Sequence, residues 1–205
     1  MGFYRDRIFP LLSEAVSSCF EEDRKFLLKH ASGDVLEVGF GSGISVRDYP
    51  ESVSRLVGLE PSAGMRDRAR SKSGVEPLFP LELIEGVCER LPFDDQCFDI
   101  VVSIVTLCSV NEPAACLREI RRVLRNTGSL LFLEHGVQPN PCLTRAIQLS
   151  LSGVWRKATC GCNLNREPLT EIVRAGFHIN ELRVIGYNGF PNLISPIHAG
   201  VASLD

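Results

Sequence analysis

Asp34-Val35-Leu36-Glu37-Val38-Gly39-Phe40-Gly41-Ser42-Gly43 is the segment whose reading decides the fold of this 205-residue chain. Its first five residues form a short apolar run broken by one acid, the pattern of a compact buried strand. Three alternate glycines follow at once. They let the backbone turn sharply and leave no Cβ between it and an approaching ligand. Working outward, strands are expected at Arg55 to Glu60, Leu81 to Glu85, Phe98 to Ser103, Ser129 to Glu134, Ile179 to Ile185 and His198 to Ala202. Helices are expected between them. One starts at Pro61-Ser62 and runs to about Ser71; another is capped by Asn111 with Glu112 and Pro113 in its first turn. Two more cover Leu143 to Trp155 and Asn165 to Ala175, and one long or two short helices fill Arg7 to His30. Strands alternating with helices mark an α/β, Rossmann-like, doubly wound and mostly parallel sheet flanked by helices.

Composition narrows the function classes. A formal net charge of -3 argues against a protein whose main work is gripping nucleic-acid phosphates. No window reaches the run of about 18 apolar residues that a spanning helix needs. Residues 1–205 read as one domain, with a helical lid at 1–31 and a substrate-side insertion at 137–163. The eight cysteines lack paired-knuckle spacing, and Cys160-Gly161-Cys162 has no second pair to complete a tetrahedral site. They read as reduced thiols of a cytoplasmic protein, with no metal assigned.

The glycine spacing chooses between ligands. A dinucleotide-binding turn wants its third glycine at position 44, which is Ile44; here it is Gly43. The shorter spacing after an acid, Glu37, is the pattern of S-adenosylmethionine binders, and a nucleotide-dependent oxidoreductase is the weaker alternative. Glu60, closing the second strand in Leu59-Glu60-Pro61-Ser62, is placed to accept hydrogen bonds from both ribose hydroxyls. Met65, one turn into the next helix, is placed to pack on the adenine. His135, closing the fifth strand, is the candidate general base.

Gly86-Val87-Cys88-Glu89-Arg90-Leu91-Pro92-Phe93, Phe98-Asp99-Ile100-Val101-Val102-Ser103, Leu124-Arg125-Asn126-Thr127-Gly128 and Arg174-Ala175-Gly176-Phe177 resemble motifs of class I methyltransferases. The subgroup resembled includes quinone C-methyltransferases, bacterial phosphatidylethanolamine N-methyltransferases and small alkyl-thiol methyltransferases. Leu107-Cys108-Ser109-Val110, Glu134-His135 and Gly161-Cys162-Asn163-Leu164-Asn165-Arg166-Glu167 look most like the last. The resemblance implies a seven-stranded sheet with its last strand antiparallel and S-adenosylmethionine as cofactor. It implies a cofactor site of Glu37, Gly39, Phe40, Gly41, Ser42, Gly43, Glu60, Pro61, Ser62, Met65, Val87, Cys88, Glu89, Ser103 and Ile104. Position 87 is an acid in that group and Val87 here, so adenine recognition falls to backbone near Cys88 and to Glu89. The implied acceptor is a small lipophilic molecule (a thiol first, then a phospholipid amine or a quinone precursor) rather than nucleic acid. Trp155 and Leu151 are placed to line its pocket, and Arg5 and Arg7 among aromatics suit a lid or transient contact with a membrane surface. A non-catalytic donor-binding module is the alternative outside enzymes.

Overall fold

Val35, Leu36 and Val38 expose no surface, so the strand they belong to must be covered on both faces. In the computed structural model, which describes residues 9–71, 78–139, 143–186, 194 and 196–204, this strand is β1 (Gly33–Val38). The others are β2 (Val53–Leu59), β3 (Leu81–Ile84), β4 (Phe98–Ile104), β5 (Leu124–His135), β6 (Phe177–Ile185) and β7 (Ile197–Leu204). They form one seven-stranded sheet in the order β3-β2-β1-β4-β5-β7-β6. β1 pairs in parallel with β2 and β4, β2 with β3, and β4 with β5. β7, the last strand, runs antiparallel to both β5 and β6.

Alternate residues of each strand feed two cores, as a period of two requires. Leu36, Val38, Val57, Leu59, Val101, Leu130 and Phe132 face one side. There α4 (Pro113–Val123) buries Cys116, Leu117, Ile120 and Val123, and α6 (Pro168–Arg174) buries Ile172. Val35, Leu56, Ile100, Val102, Leu131 and Leu133 face the other. There α2 (Glu21–Leu28) supplies Leu27 and Leu28, and the chain following α1 (Phe9–Ser18) supplies Phe20. A buried Arg24–Asp48 ion pair of 2.6 Å fastens α2 to the turn after β1. α3 (Ala63–Ser71) follows β2, and its Arg68 bonds Glu14 of α1.

Two expectations need correction. The helix-capping position before α4 is Glu112 rather than Asn111. The Asn111 backbone N–H donates to Glu89 (2.8 Å), and its side-chain oxygen accepts from Arg156 (3.4 Å). The cysteines are not all reduced. Cys88 and Cys116 form a disulfide, because the loop after β3 and the first turn of α4 bring their Cα atoms to 4.9 Å. The insertion does hold a helix, α5 (Leu143–Ala158), but it turns its polar side inward. Gln148 and Ser152 are buried while Leu143, Leu149, Leu151 and Val154 are exposed. The segment carrying Arg5 and Arg7 lies outside the described residues. Among those described, no helix is long and apolar enough to cross a membrane.

Candidate active site

Because β1 to β5 are parallel, the residues that end them collect along one sheet edge. Gly39 follows β1, Glu60 follows β2, Val87 to Glu89 lie beyond β3, Ser103 and Ile104 end β4, and His135 ends β5. Ligands bind at this edge in open α/β sheets.

The glycine turn is built for close approach. Gly39, Gly41 and Gly43 have φ of 69°, 60° and 72°, a region L side chains disfavour. A Cβ on Gly39 would strike the Thr106 side chain, whose hydroxyl donates to the Val38 carbonyl at 3.1 Å. At Gly41 the situation is reversed. Among the described residues an added Cβ would meet only the Gly39 carbonyl, at 3.8 Å, so the turn presents bare backbone there. The buried Phe40 ring packs behind it against Gly43 and Gly58, and Ser42 is buried too.

Glu60 ties this turn to α3. One carboxylate oxygen accepts the Gly41 N–H (3.0 Å) and the other the Ser62 N–H (2.9 Å). Ser62 in turn accepts the Met65 N–H through its hydroxyl (3.4 Å), Met65 is buried, and Pro61 is exposed. Arg66 donates to the Glu60 carbonyl at 2.7 Å. The Glu60 carboxylate thus stands at the end of β2 against the glycine turn, the place where a ribose is expected.

Glu37 points from β1 into the core on the α2 side. Its oxygens accept hydrogen bonds from the Ser45 hydroxyl (2.7 and 2.9 Å) and the Tyr49 hydroxyl (2.8 Å). Burial pushes its pKa up to about 7, against the pull of those two donors and of Arg24. Beyond β3, Val87 is half exposed while the Cys88 side chain is turned inward to its disulfide partner. Glu89 accepts the backbone N–H groups of Asn111 and Glu112 (2.8 and 3.4 Å), an acid at the positive end of α4.

At β4 and β5 a second carboxylate organises the edge. Glu134, fully buried, accepts from the Ser103 hydroxyl (2.8 Å) and from the N–H groups of Thr106 (2.8 Å), Leu107 (3.0 Å) and Cys108 (3.4 Å). These bonds hold the loop after β4, where Val105 sits at a φ of 50° that a β-branched residue rarely adopts. Burial raises the Glu134 pKa to about 7 despite its donors. Ile104 is only partly buried and passes Glu134's neighbour, the Thr106 hydroxyl, an acceptor carbonyl at 3.1 Å.

His135 is buried, and its Nε2 lies 2.9 Å from the Cys162 sulfur. Trp155 also donates its indole N–H to that sulfur, at 3.3 Å. Burial works against the imidazolium, but the hydrogen bond to Cys162 and the charge of Glu134 raise the His135 pKa on balance. Hydrogen bonds from Cys108 and His135 hold the Cys162 thiol well below its usual range, and Cys108 is pushed up correspondingly. Leu151, expected beside the acceptor, faces outward.

Sequence reasoning missed Ser45 and Tyr49 around Glu37, the seating of Thr106 on Gly39, and the Cys108–His135–Cys162 group. Cys108, Glu134-His135 and Cys162 did carry a signal, since each lay in a motif noted for its likeness.

The strand order, the glycine turn and the carboxylate closing β2 are the arrangement of the class I, S-adenosylmethionine-dependent methyltransferase fold. Residues 36–132 match a family model described as a methyltransferase domain, which supports a class I methyltransferase. It is 34% identical over 155 residues to the thiol S-methyltransferase TMT1B of Mus musculus, covering 73% of this chain and 63% of that protein. It is 36% identical over 106 residues to the phosphatidylethanolamine N-methyltransferase of Cereibacter sphaeroides, covering 50% of this chain and 51% of that one. The chain thus spans less than two thirds of the length of either relative. Among solved structures, the Streptomyces coelicolor geranyl diphosphate C-methyltransferase superposes with a TM-score of 0.70 at 14% identity, covering 90% of this chain and 77% of that one. Its structure contains S-adenosyl-L-homocysteine. The open backbone at Gly41 and the oriented Glu60 suit S-adenosylmethionine, the cofactor of the class.

Proposed function

We propose that this chain transfers the methyl group of S-adenosylmethionine to a small lipophilic thiol. The observation that carries the proposal is a juxtaposition. The glycine turn with Glu60 and the buried Cys108–His135–Cys162 group lie on one sheet edge, joined through Thr106, which packs on Gly39. The likeness to a thiol S-methyltransferase supports the choice of acceptor.

The cofactor supplies a methyl already activated on a positive sulfonium. The chain must therefore hold an acceptor sulfur roughly 3 Å from that carbon, in line with the leaving sulfur, and keep water out. In this reading Glu60 and the bare backbone of residues 39–43 hold the ribose and the methionine end. Met65, Pro61 and the backbone at Val87 to Glu89 border the adenine, and Ser103 and Ile104 border the methionine amino group with Glu37 behind them. The loop carrying Thr106 to Cys108, clamped by Glu134, closes the floor between donor and acceptor. His135 stands on the acceptor side with Cys162. A thiol of pKa near 8.5 is already about a few per cent thiolate at neutral pH, so little proton chemistry is asked of the protein.

The test is a product assay with methyl-labelled donor against alkyl thiols, phosphatidylethanolamine vesicles and quinols. The expected product is a thioether, with turnover at least about tenfold lower in His135→Ala. Label appearing only on the phospholipid or the quinol refutes the thiol assignment. Donor binding without turnover on any acceptor refutes the enzymatic reading and leaves a binding module.

A further inference from the structure

Three side chains from separate segments meet behind this edge: Cys108 from the loop after β4, His135 from the end of β5, and Cys162 from the loop after α5. Their ligand-type atoms all lie within 4.8 Å of one another, and all three residues are buried. Burying an imidazole and two thiols strips each of water, and hydrogen bonds to sulfur replace little of it. Yet His135 Nε2 faces a sulfur, and its Nδ1 has no hydrogen-bond partner among the described residues. Among the described residues the Cys108 thiol reaches only the Val105 carbonyl and the Ser109 hydroxyl, each at 3.4 Å, besides Cys162.

Such a group is poorly paid as a hydrogen-bond network and well suited as a ligand set. Metal–sulfur bonds of about 2.3 Å and metal–nitrogen bonds of about 2.0 Å space tetrahedral ligands at roughly 3.3–3.8 Å, within reach of these atoms. Two sulfurs and one imidazole are a soft to borderline donor set that selects zinc over magnesium or calcium. Three protein ligands leave a fourth position for water or substrate, the arrangement of catalytic rather than structural zinc sites. The group also sits where β4 and β5 end, beside the loop that packs on the glycine turn.

We propose that Cys108, His135 and Cys162 bind one zinc-class divalent ion whose fourth position takes the sulfur of the acceptor thiol. The proposal rests on the thiol reading above and deepens it. A thiol displacing water from the ion gives up its proton to solvent and binds as thiolate. That sulfur's electron pair then forms the bond to the donor methyl carbon, while the methyl–sulfonium bond breaks and its pair stays on the departing sulfur. The neutral thioether is a weaker ligand and leaves the ion. No oxidant or reductant takes part.

The test uses the full chain without a histidine tag. Elemental analysis after incubation with zinc and desalting should give about one ion per chain. The cobalt(II)-substituted protein should show a sulfur-to-metal charge-transfer band and the visible bands of a tetrahedral site. Adding an alkyl thiol without donor should shift the visible bands, whereas phosphatidylethanolamine vesicles should not. Cys108→Ser and Cys162→Ser should each reduce retained metal at least about tenfold, while Trp155→Phe should keep it. Less than one ion per ten chains with no cobalt charge-transfer band overturns the site, and the wild-type spectrum decides this even if a variant fails to fold. A cobalt spectrum indifferent to thiols overturns the open fourth position. Thiol methylation by metal-free protein leaves the proposed activity standing and removes the ion from it.

Discussion

Replacing Glu60 by alanine takes away the acceptor of both the Gly41 and Ser62 N–H groups, so the turn and the start of α3 lose their common tie. Hydrogen bonds to a charged group are worth about 1.5–3 kcal/mol each. Donor affinity in Glu60→Ala should therefore fall about 10- to 100-fold by calorimetry, with the sheet intact by circular dichroism; unchanged affinity would remove Glu60 from the site. Gly41→Ala isolates the backbone, because its Cβ has room but its φ of 60° costs about 1–2 kcal/mol and the methyl fills the open cradle. Glu37 acts on stability through pH. Its folded pKa of about 7 stands above the ordinary 4.5, with Ser45, Tyr49, Arg24 and Asp48 around it. A raised carboxyl pKa contributes stability that is fully present below about pH 4.5 and lost as pH rises through about 7. The loss is on the order of 3 kcal/mol for a shift of this size. Glu37→Gln cannot ionise, so its urea unfolding free energy should gain on the wild type by a few kcal/mol between pH 5 and pH 8. Parallel stability curves would show that the carboxyl titrates normally.

At the scale of elements, α5 shows where sequence reading succeeds and stops. Its existence was legible from Leu143 to Trp155, but hydrophobicity alone turned Leu151 toward the acceptor. The structure buries Gln148 instead, whose oxygen accepts the Gln138 N–H at 2.9 Å and whose amide reaches the Gly136 carbonyl at 3.4 Å. A loop with buried backbone groups needs partners, and that demand outweighs the apolar stripe. Gln148→Leu should accordingly destabilise the fold by about 1–3 kcal/mol in urea unfolding, although it makes the helix more apolar. Val154→Ser, on the exposed side, should stay within about 0.5 kcal/mol. The reverse ranking would mean that α5 packs by its apolar side. The glycine turn was readable for the opposite reason: positive φ at three alternate positions leaves glycine as the residue that fits. At Glu89 the sequence was silent on one contact, because a lone acid after a strand does not reveal that the N-terminus of α4 lies within its reach.

At the scale of the whole molecule, alternation of strands and helices was enough to read a parallel sheet, since each crossover must return to the same edge. What no local pattern holds is which segments that edge brings together. Positions 108, 135 and 162 are 27 residues apart in sequence and meet because β4 and β5 are neighbours and α5 folds the chain back over their ends. The same edge links cofactor binding to global stability, because the glycine turn, Glu60 and the loop after β4 are assembled only in the folded chain. A ligand confined to that state stabilises it by about 2.7 kcal/mol at a hundred times its dissociation constant. For a chain of 205 residues, each kcal/mol raises the melting temperature by about 2–4 °C. S-adenosylmethionine or its demethylated product, at a hundredfold excess over the dissociation constant, should thus raise the midpoint by about 5–10 °C. The shift should shrink in Glu60→Ala, and nicotinamide dinucleotides should produce none. A midpoint that moves with the dinucleotides and not with the methyl donor would show that the turn ending at Gly43 serves a different ligand.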